Sequence, residues 1–475
     1  MKRVHLSRGA FTAAGLVLVV ATLAPASADA AGLYFSDRGV RPMGRAGAFV
    51  AGADDLHSIW YNPAGLAEAG TGVLVDAAWL RFGVDYTREL RVRDGDGNIQ
   101  QFSEGTISGR SPVLPIPTMA ASYNFGKDKE WTIAGGVIAP YVALASFDAT
   151  VNGRPSPGRY MVGSFEGLLG IPGVWAAYKA HDKLRFGAGV MAFTGYFQTD
   201  ATFTASPQDR LVGAPEQPEY DAAARVFAGP FFAPTANAGV TYIPSSALRI
   251  GISAQLPIWL STPANVKMRL PTASIFDNAK QVGEDADMRI QFPAILRAGV
   301  EIRPSTDVRF EVAYVREFWS IQKSIDVNQR ISLQGVVGLP PDAKLPSVSI
   351  ARGFQDAQSF RVGGEVRAKL LGYETDIRAG ISYEESAIPR EYLSLNALDF
   401  EKVTLSLGGT LHMGKHWGFD IVYAHLFAST VYVDPATAKV PRINPLKGNA
   451  EFEPVNGGKY EPTADLFGVG VRYKF

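Results

Sequence analysis

The chain has 475 residues, a formal net charge of zero, no cysteine, 47% hydrophobic residues and 11% aromatic ones. Balanced charge argues against a nucleic-acid surface or an acidic tail, and the lack of cysteine excludes disulfides, thiol nucleophiles and cysteine-based metal sites. After residue 30 no window approaches the roughly 20 apolar residues of a membrane helix, so a membrane-spanning fold here must be a closed barrel.

The first 30 residues read as a secretory signal. Lys2, Arg3 and Arg8 form a basic start, Phe11 to Leu23 an apolar run, and Ala28-Asp29-Ala30 a small-residue cleavage site. The alternative, a membrane anchor, needs a longer apolar run.

Residues 31–70 do not alternate with period two. Glycines at 44, 47 and 52, with Pro63, break them into short helical turns. A compact apolar segment with no room for its own core, ahead of a run of strands, reads as a plug or hatch. Leu33, Tyr34, Phe35, Met43, Phe49, Val50, Leu56, Ile59, Trp60, Tyr61 and Leu66 could line a pocket for an acyl chain or aromatic ring. Asp54-Asp55 reads first as a helix cap, with pairing to an interior arginine as the alternative. Asn62-Pro63-Ala64-Gly65 is either a turn into the first strand or a switch, because Pro63 holds Asn62 out of the helical region.

From residue 71 to 475 the chain reads as alternating strands near 72–90, 115–125, 130–143, 166–180, 183–199, 230–243, 247–261, 287–303, 307–323, 357–369, 373–385, 400–412, 416–430 and 463–475. Short polar turns alternate with long loops without a break, as in outer-membrane barrels. The expected fold is all-β, a 14-stranded antiparallel transmembrane β-barrel with an N-terminal plug of short helices inside it. In the last strand Phe467, Val469, Val471, Tyr473 and Phe475 share one face and Gly468, Gly470, Arg472 and Lys474 the other. Trp79, Trp131, Trp175, Trp319 and Trp417 are placed at interfacial girdles.

The hatch residues Gly47, Ala48, Phe49, Val50, Ala51, Ala53, Asp54 and Asp55, followed by Asn62, Pro63 and Ala64, resemble the FadL/TodX-type (OMPP1) outer-membrane transporters of hydrophobic compounds. Pro293-Ala294 with the hairpin LRAGVEIRPSTDVRFEVAYVREFWS resembles a second family segment, and Phe360 to Gly364 through ETDIRAGISYEESAIP a third. Gly158-Arg159-Tyr160 is similar to a motif near the family's second external loop. The resemblance is weakest in loops 200–229 and 324–356. It implies a hatch that releases its ligand through a kinked early strand into the membrane, and a terminal Phe475 read by the barrel-assembly machinery.

Three function classes follow. The first is passive, ligand-gated uptake of long-chain fatty acids or of aromatic or aliphatic hydrocarbons; the second is a general porin or structural barrel; the third is a lipid-acting enzyme. A fatty-acid carboxylate would call for an interior cation, and Arg81, Arg316 and Lys323 are the candidates on predicted strands. No nucleophile elbow or phosphate loop is present. Gly187-x-Gly189-x-x-Ala192 lies inside a strand, and His412, His416 and His425 lack metal-site spacing. No catalytic residue, metal or cofactor is expected. The expected partners are outer-membrane lipid and lipopolysaccharide, an apolar small molecule and the assembly machinery, with the chain a monomer in the bacterial outer membrane.

Overall fold

The computed structural model describes residues 37–111, 115–139, 146–148, 150–161, 165–207, 213–446 and 453–475; the stretch expected as a signal, Leu33, Tyr34 and Phe35 lie outside them. Fourteen antiparallel strands close on themselves. They are β1 (Gly72–Arg93), β2 (in two pieces, Ile99–Arg110 and Pro115–Phe125), β3 (Trp131–Ile138), β4 (Phe165–His181), β5 (Leu184–Thr204) and β6 (Asp221–Ser245). Then come β7 (Leu248–Gln255 and Ile258–Arg269), β8 (Asp285–Phe292 and Ile295–Ile302), β9 (Val308–Glu317 and Ser324–Gln329) and β10 (Ala357–Leu370). The last four are β11 (Tyr373–Glu384), β12 (Lys402–Met413), β13 (Trp417–Ala428) and β14 (Gly458–Lys474). Each strand pairs with its neighbours in sequence, and β14 returns to β1 in a register running from Gly72 opposite Lys474 to Arg88 opposite Gly458. Closure leaves no long edge, which is what a lipid-facing sheet requires.

Residues that point outward are apolar along the lower strands: Val75, Ile133, Val174, Ile252, Val312, Ile381, Ile421 and Val469 are all exposed. Their sequence neighbours point in and are buried, the period-two pattern of a two-faced strand. Near the short turns the outward face becomes aromatic, with Trp131 against Tyr178 at 4.4 Å and Trp417 against Tyr473 at 4.6 Å. Two of the expected girdle tryptophans belong elsewhere. Trp175 is buried and donates from Nε1 to Asn237 Oδ1 at 3.1 Å, and Trp319 is buried and donates to Glu317 Oε2 at 2.7 Å. Alternation alone cannot separate an aromatic that faces lipid from one on the opposite phase of the pleat.

Several strands run further than their hydrophobic pattern. Ile99–Arg110, expected as loop, forms a hairpin with the top of β1 around Asp94, whose Oδ1 accepts from the amides of Asp96 and Asn98. At about 3.3 Å per residue and roughly 40° tilt, Leu90 stands about 45 Å above Gly72, beyond the apolar band of roughly 25 Å. Strands there meet water on the outside and carry no apolar alternation.

The outward face carries a prediction. Val312→Arg, in the middle of the apolar band, costs about 2–4 kcal/mol in unfolding titrations from detergent or lipid. Phe102→Arg, on the hairpin above the band, leaves the urea midpoint unchanged.

Candidate functional site

The segment from Asp37 to Gly70 folds into helix α1 (Val40–Met43), helix α2 (Ser58–Tyr61) and a 3-10 turn (Pro63–Glu68), and nearly every residue in it is buried. It packs on the inward faces of the strands. Where it crosses β5 and β6 near Asn62-Pro63 the wall residues are Gly187 and Gly239; a Cβ there would lie 2.2 Å from the Pro63 carbonyl carbon and 2.1 Å from Asn62 Oδ1. Gly363 and Gly380 play the same part for the backbone of Arg45, at 2.4 Å and 2.3 Å. Side chains at these positions would displace the segment.

Charge fixes its seat. Arg45 and the wall carboxylates Glu301 and Glu311 have no solvent exposure, and the guanidinium lies 3.1 Å and 3.2 Å from the two acids. Glu311 also accepts three consecutive backbone amides, from Val50 (2.6 Å), Ala51 (2.9 Å) and Gly52 (2.9 Å). Asp54 pairs with Arg41 at 2.6 Å and Arg309 at 2.7 Å, and Asp55 with Arg41 at 2.7 Å and Arg472 at 3.2 Å. The two aspartates thus tie the segment to strands β9 and β14. Pairing, the alternative read for them, outweighs capping: α2 has no side-chain cap, and the one backbone amide among the bonds of Asp55 is that of His57, just ahead of the helix. The His57 ring bridges Asp55 (2.9 Å) and the wall residue Asp76 (2.6 Å).

Asn62 is extended, at φ −159° and ψ 101°, as a residue before proline should be. Its Oδ1 accepts from Ala64, while Nδ2 donates to Val50 O at 2.9 Å and Thr241 Oγ1 at 3.1 Å. Ala64 and Gly65 are buried in the turn, and a Cβ at Gly65 would reach the Ala53 carbonyl. The Asn62-Pro63 step therefore joins two loops of the segment to β6.

Above and below the segment the interior differs. Counting along β5 from its short turn, Gly187 touches the segment and Phe193 and Phe197 come next; along β7, Gly251 touches it and Leu260 lies beyond. These and their neighbours enclose an apolar cavity of about 390 Å³ on the long-loop side, within the usual range for small-molecule sites. Phe193, Phe197, Leu260, Met288, Phe292 and Trp319 form much of its wall. On the short-turn side a second cavity of about 360 Å³ is lined by Arg41, Asp54, Arg303, Arg309, Glu365 and Arg472.

Among the described residues, the apolar candidates of the hatch do not line the apolar cavity. Phe49, Val50, Leu56, Ile59 and Trp60 are buried between segment and wall; Phe49 meets Tyr61 edge-on at 5.7 Å, and the Arg297 guanidinium lies 5.2 Å from the Trp60 ring centre. Phe49, Leu56, Ile59 and Trp60 belong to the same apolar cluster as the cavity wall but form its floor packing. The interior cations expected from the sequence are also elsewhere. Arg81 lies on the outward face beside Asp465, Arg316 points outward and pairs with Asp356 at 3.0 Å, and Lys323 is exposed after the 3-10 turn that interrupts β9. That turn resets the strand phase, so parity counted through it fails. His412 faces inward to Asp376 and His425 outward to Asp465, so these two histidines do not converge on a metal.

On the loop side the wall is braced by Glu216, which lies 2.5 Å from Arg88 and 2.6 Å from Arg159; Arg159 in turn covers the ring of Tyr160, a cavity residue. Burial alone would raise the Glu216 carboxyl, but the guanidinia of Arg88, Arg159 and Arg442 outweigh it and hold it at about 2, against an ordinary 4.5. A lowered carboxylate contributes stability above its unfolded pKa and loses it as pH falls toward the folded one. The brace accordingly weakens between about pH 4.5 and 2. Tryptic cleavage mapped after acid pulses should begin in the loop around 205–220, and Glu216→Gln should show the same cleavage at neutral pH. At the hatch, Glu311→Ala removes one of the two acids of Arg45 and the acceptor of three amides. Breaking a buried pair costs about 3–5 kcal/mol, and the expected result is a folded barrel, judged by its heat-shifted electrophoretic band, that trypsin now cuts after Arg41 or Arg45.

A family model described as outer membrane protein transport protein (OMPP1/FadL/TodX) matches residues 18–475. Among solved structures the chain is similar to a FadL homologue of Pseudomonas aeruginosa, with 15% identity, a TM-score of 0.72, and 94% of this chain and 100% of that one covered. It is also similar to the toluene transporter TbuX of Ralstonia pickettii (17% identity, TM-score 0.57, 93% and 99% covered) and to the P. putida toluene transporter TodX (16%, 0.55, 91% and 98%). No curated protein sequence is a significant match. With nearly the whole chain matched, an outer-membrane-type barrel around it and an apolar cavity inside, the chain belongs to the OMPP1/FadL/TodX family of outer-membrane transporters of hydrophobic compounds.

Proposed function

We propose that the chain carries hydrophobic molecules, fatty acids or hydrocarbons, passively across the bacterial outer membrane, binding them in the loop-side cavity and releasing them sideways when the hatch shifts. The observation that carries this reading is the contrast along the barrel: an apolar cavity of about 390 Å³ on one side of the hatch, and a cavity lined by Arg41, Arg303, Glu365 and Arg472 on the other. Each buried methylene gains about 0.8 kcal/mol in the first, whereas the second offers an apolar solute only charged walls. Passage straight through is therefore uphill.

A side route is favoured by the make-up of β4, which runs from Phe165 along the cavity wall. Leu169 lines the cavity there and the adjacent Leu168 is exposed on the lipid-facing side. Movement of the hatch is coupled to this wall through the 3-10 turn, which packs on β3, β4, β5 and β6. A hatch held only as a constriction would make the barrel a porin, and that is the competing reading the test separates.

Native mass spectrometry of the purified protein should show a retained apolar ligand. Ala224→Trp, which fills the cavity from β6, should lower ligand occupancy and uptake by about tenfold or more while the barrel still folds. Asn62→Ala with Pro63→Ala should keep the ligand yet slow uptake. A protein that retains nothing and passes a steady ion current across a planar bilayer is a porin.

A further inference from the structure

Five of the six short turns end in polar residues: Lys127-Asp128-Lys129, Asp182-Lys183, Ser245-Ser246, Ser305-Thr306 and Gly414-Lys415. The sixth, between β10 and β11, is Leu371-Gly372, closed by Leu370 opposite Tyr373. Both turn residues have positive φ, +51° and +90°, as a type I′ turn requires, and its first position is ordinarily Asn, Asp or Gly. A leucine held there is strained. Its side chain is also 99% exposed, more than any other large apolar residue among the described ones. Backbone preference and water both disfavour leucine at this place.

The hairpin stands clear of its neighbours at that end. The ladder to β9 ends at Val366 opposite Val308, with one further bond from the Arg367 amide to the Asp307 carbonyl at 2.7 Å. The ladder to β12 ends at Thr375 opposite Leu411. Among the described residues, 369–374 therefore pair only with one another. The outward face stays apolar down to the turn: Phe360, Val362, Val366 and Leu370 on β10, and Ile381, Ile377 and Tyr373 on β11, are all exposed. Lys369 stands opposite Glu374, so the tip has no net charge with which to hold a charged partner. What covers the rest of this stripe is lipid, and the turn continues it without a break.

We propose that the β10–β11 turn is a membrane anchor, with Leu371 immersed in the interface of the leaflet on the short-turn side and Tyr373 at its headgroups. An apolar side chain gains there what it loses to strain, because that interface accepts leucine and tyrosine at shallow depth. The anchor bears on the hatch. The same two strands carry Gly363 and Gly380 beneath the Arg45 backbone, and Glu365, which takes Arg41 at 3.4 Å. Fixing the tip in the leaflet fixes the height of that part of the hatch seat.

The chain has no cysteine, so Leu371→Cys, Lys127→Cys and Ser246→Cys each supply a single labelling site. Each variant, its folding checked by the heat-shifted electrophoretic band, is given the same nitroxide and placed in phospholipid nanodiscs. Collision with oxygen, which enters lipid, is then compared with collision with a water-soluble nickel chelate. The label at 371 should meet the chelate at least about threefold less often than those at 127 and 246, and oxygen more often. Equal chelate collision at the three positions would place the leucine in water and overturn the proposal. Protection of position 371 from both reagents would overturn it as well, since protein, such as a second copy of the chain, would then cover the turn.

Discussion

Everything inside this barrel depends on how one carboxylate is satisfied. Glu311 sits on the wall without access to water, beside a second acid, Glu301, and a single fully buried arginine, Arg45, from the hatch. Arg45 lies between the two carboxylates, Arg303 takes Glu301 at 2.6 Å, and the consecutive amides of Val50, Ala51 and Gly52 complete the shell of Glu311. The backbone of the hatch must turn back on itself there to present three N–H groups to one side chain. Gly52 is required at that bend, because a Cβ would lie 1.9 Å from Glu301 Oε2. Buried ion pairs add little net stability against an apolar alternative, but losing one partner is expensive. Such a junction therefore specifies one seat for the hatch more than it tightens it.

The same logic explains why the hatch is polar where it faces one end and apolar where it faces the other. A fourteen-stranded barrel is too wide for its own inward side chains to fill. The space is filled in layers: arginine–carboxylate contacts through Arg41, Asp54, Asp55 and Arg472 toward the short turns, then Phe49, Ile59 and Trp60, then the empty apolar chamber beneath the loops. An apolar solute moving down from the loops meets favourable surface until the hatch, and unfavourable surface beyond it. The gradient sets where a ligand stops.

Much of the barrel was legible from sequence because period-two alternation and turn chemistry are local. The fourteen strands and the outward phase of β14 follow from Phe467, Val469 and Val471 in alternation with small or charged neighbours. What failed was the part set by tertiary geometry. Ile99–Arg110 carries no apolar face because it stands clear of lipid, and Trp175 and Trp319 look like interfacial aromatics until their inward bonds are seen. Arg81, Arg316 and Lys323 were chosen by strand phase, but Arg81 shares its parity with the outward Val75 and Arg316 with the outward Val312, and only Lys323 lies beyond the 3-10 turn at Trp319–Ile321 that resets the phase of β9.

Glycine shows how a local reading can be right about the element and silent about its purpose. Gly187 and Gly189 sit inside β5, so the dinucleotide-like spacing has no helix to open and no phosphate to hold. They are small for two other reasons: Gly187 lets the Pro63 backbone reach the wall, and Gly189 makes room for the Trp175 indole, whose Cδ1 would lie 1.9 Å from a Cβ. Trp175 then fixes Asn237, and Asn237 donates to the Ile59 carbonyl of the hatch at 2.8 Å. Two glycines, a tryptophan and an asparagine on three neighbouring strands thus form the seat for the Asn62-Pro63 step. A bulkier residue at either glycine would act on the hatch first and on the barrel wall hardly at all, because β5 keeps its backbone bonds to β4 and β6 whatever side chain it carries there.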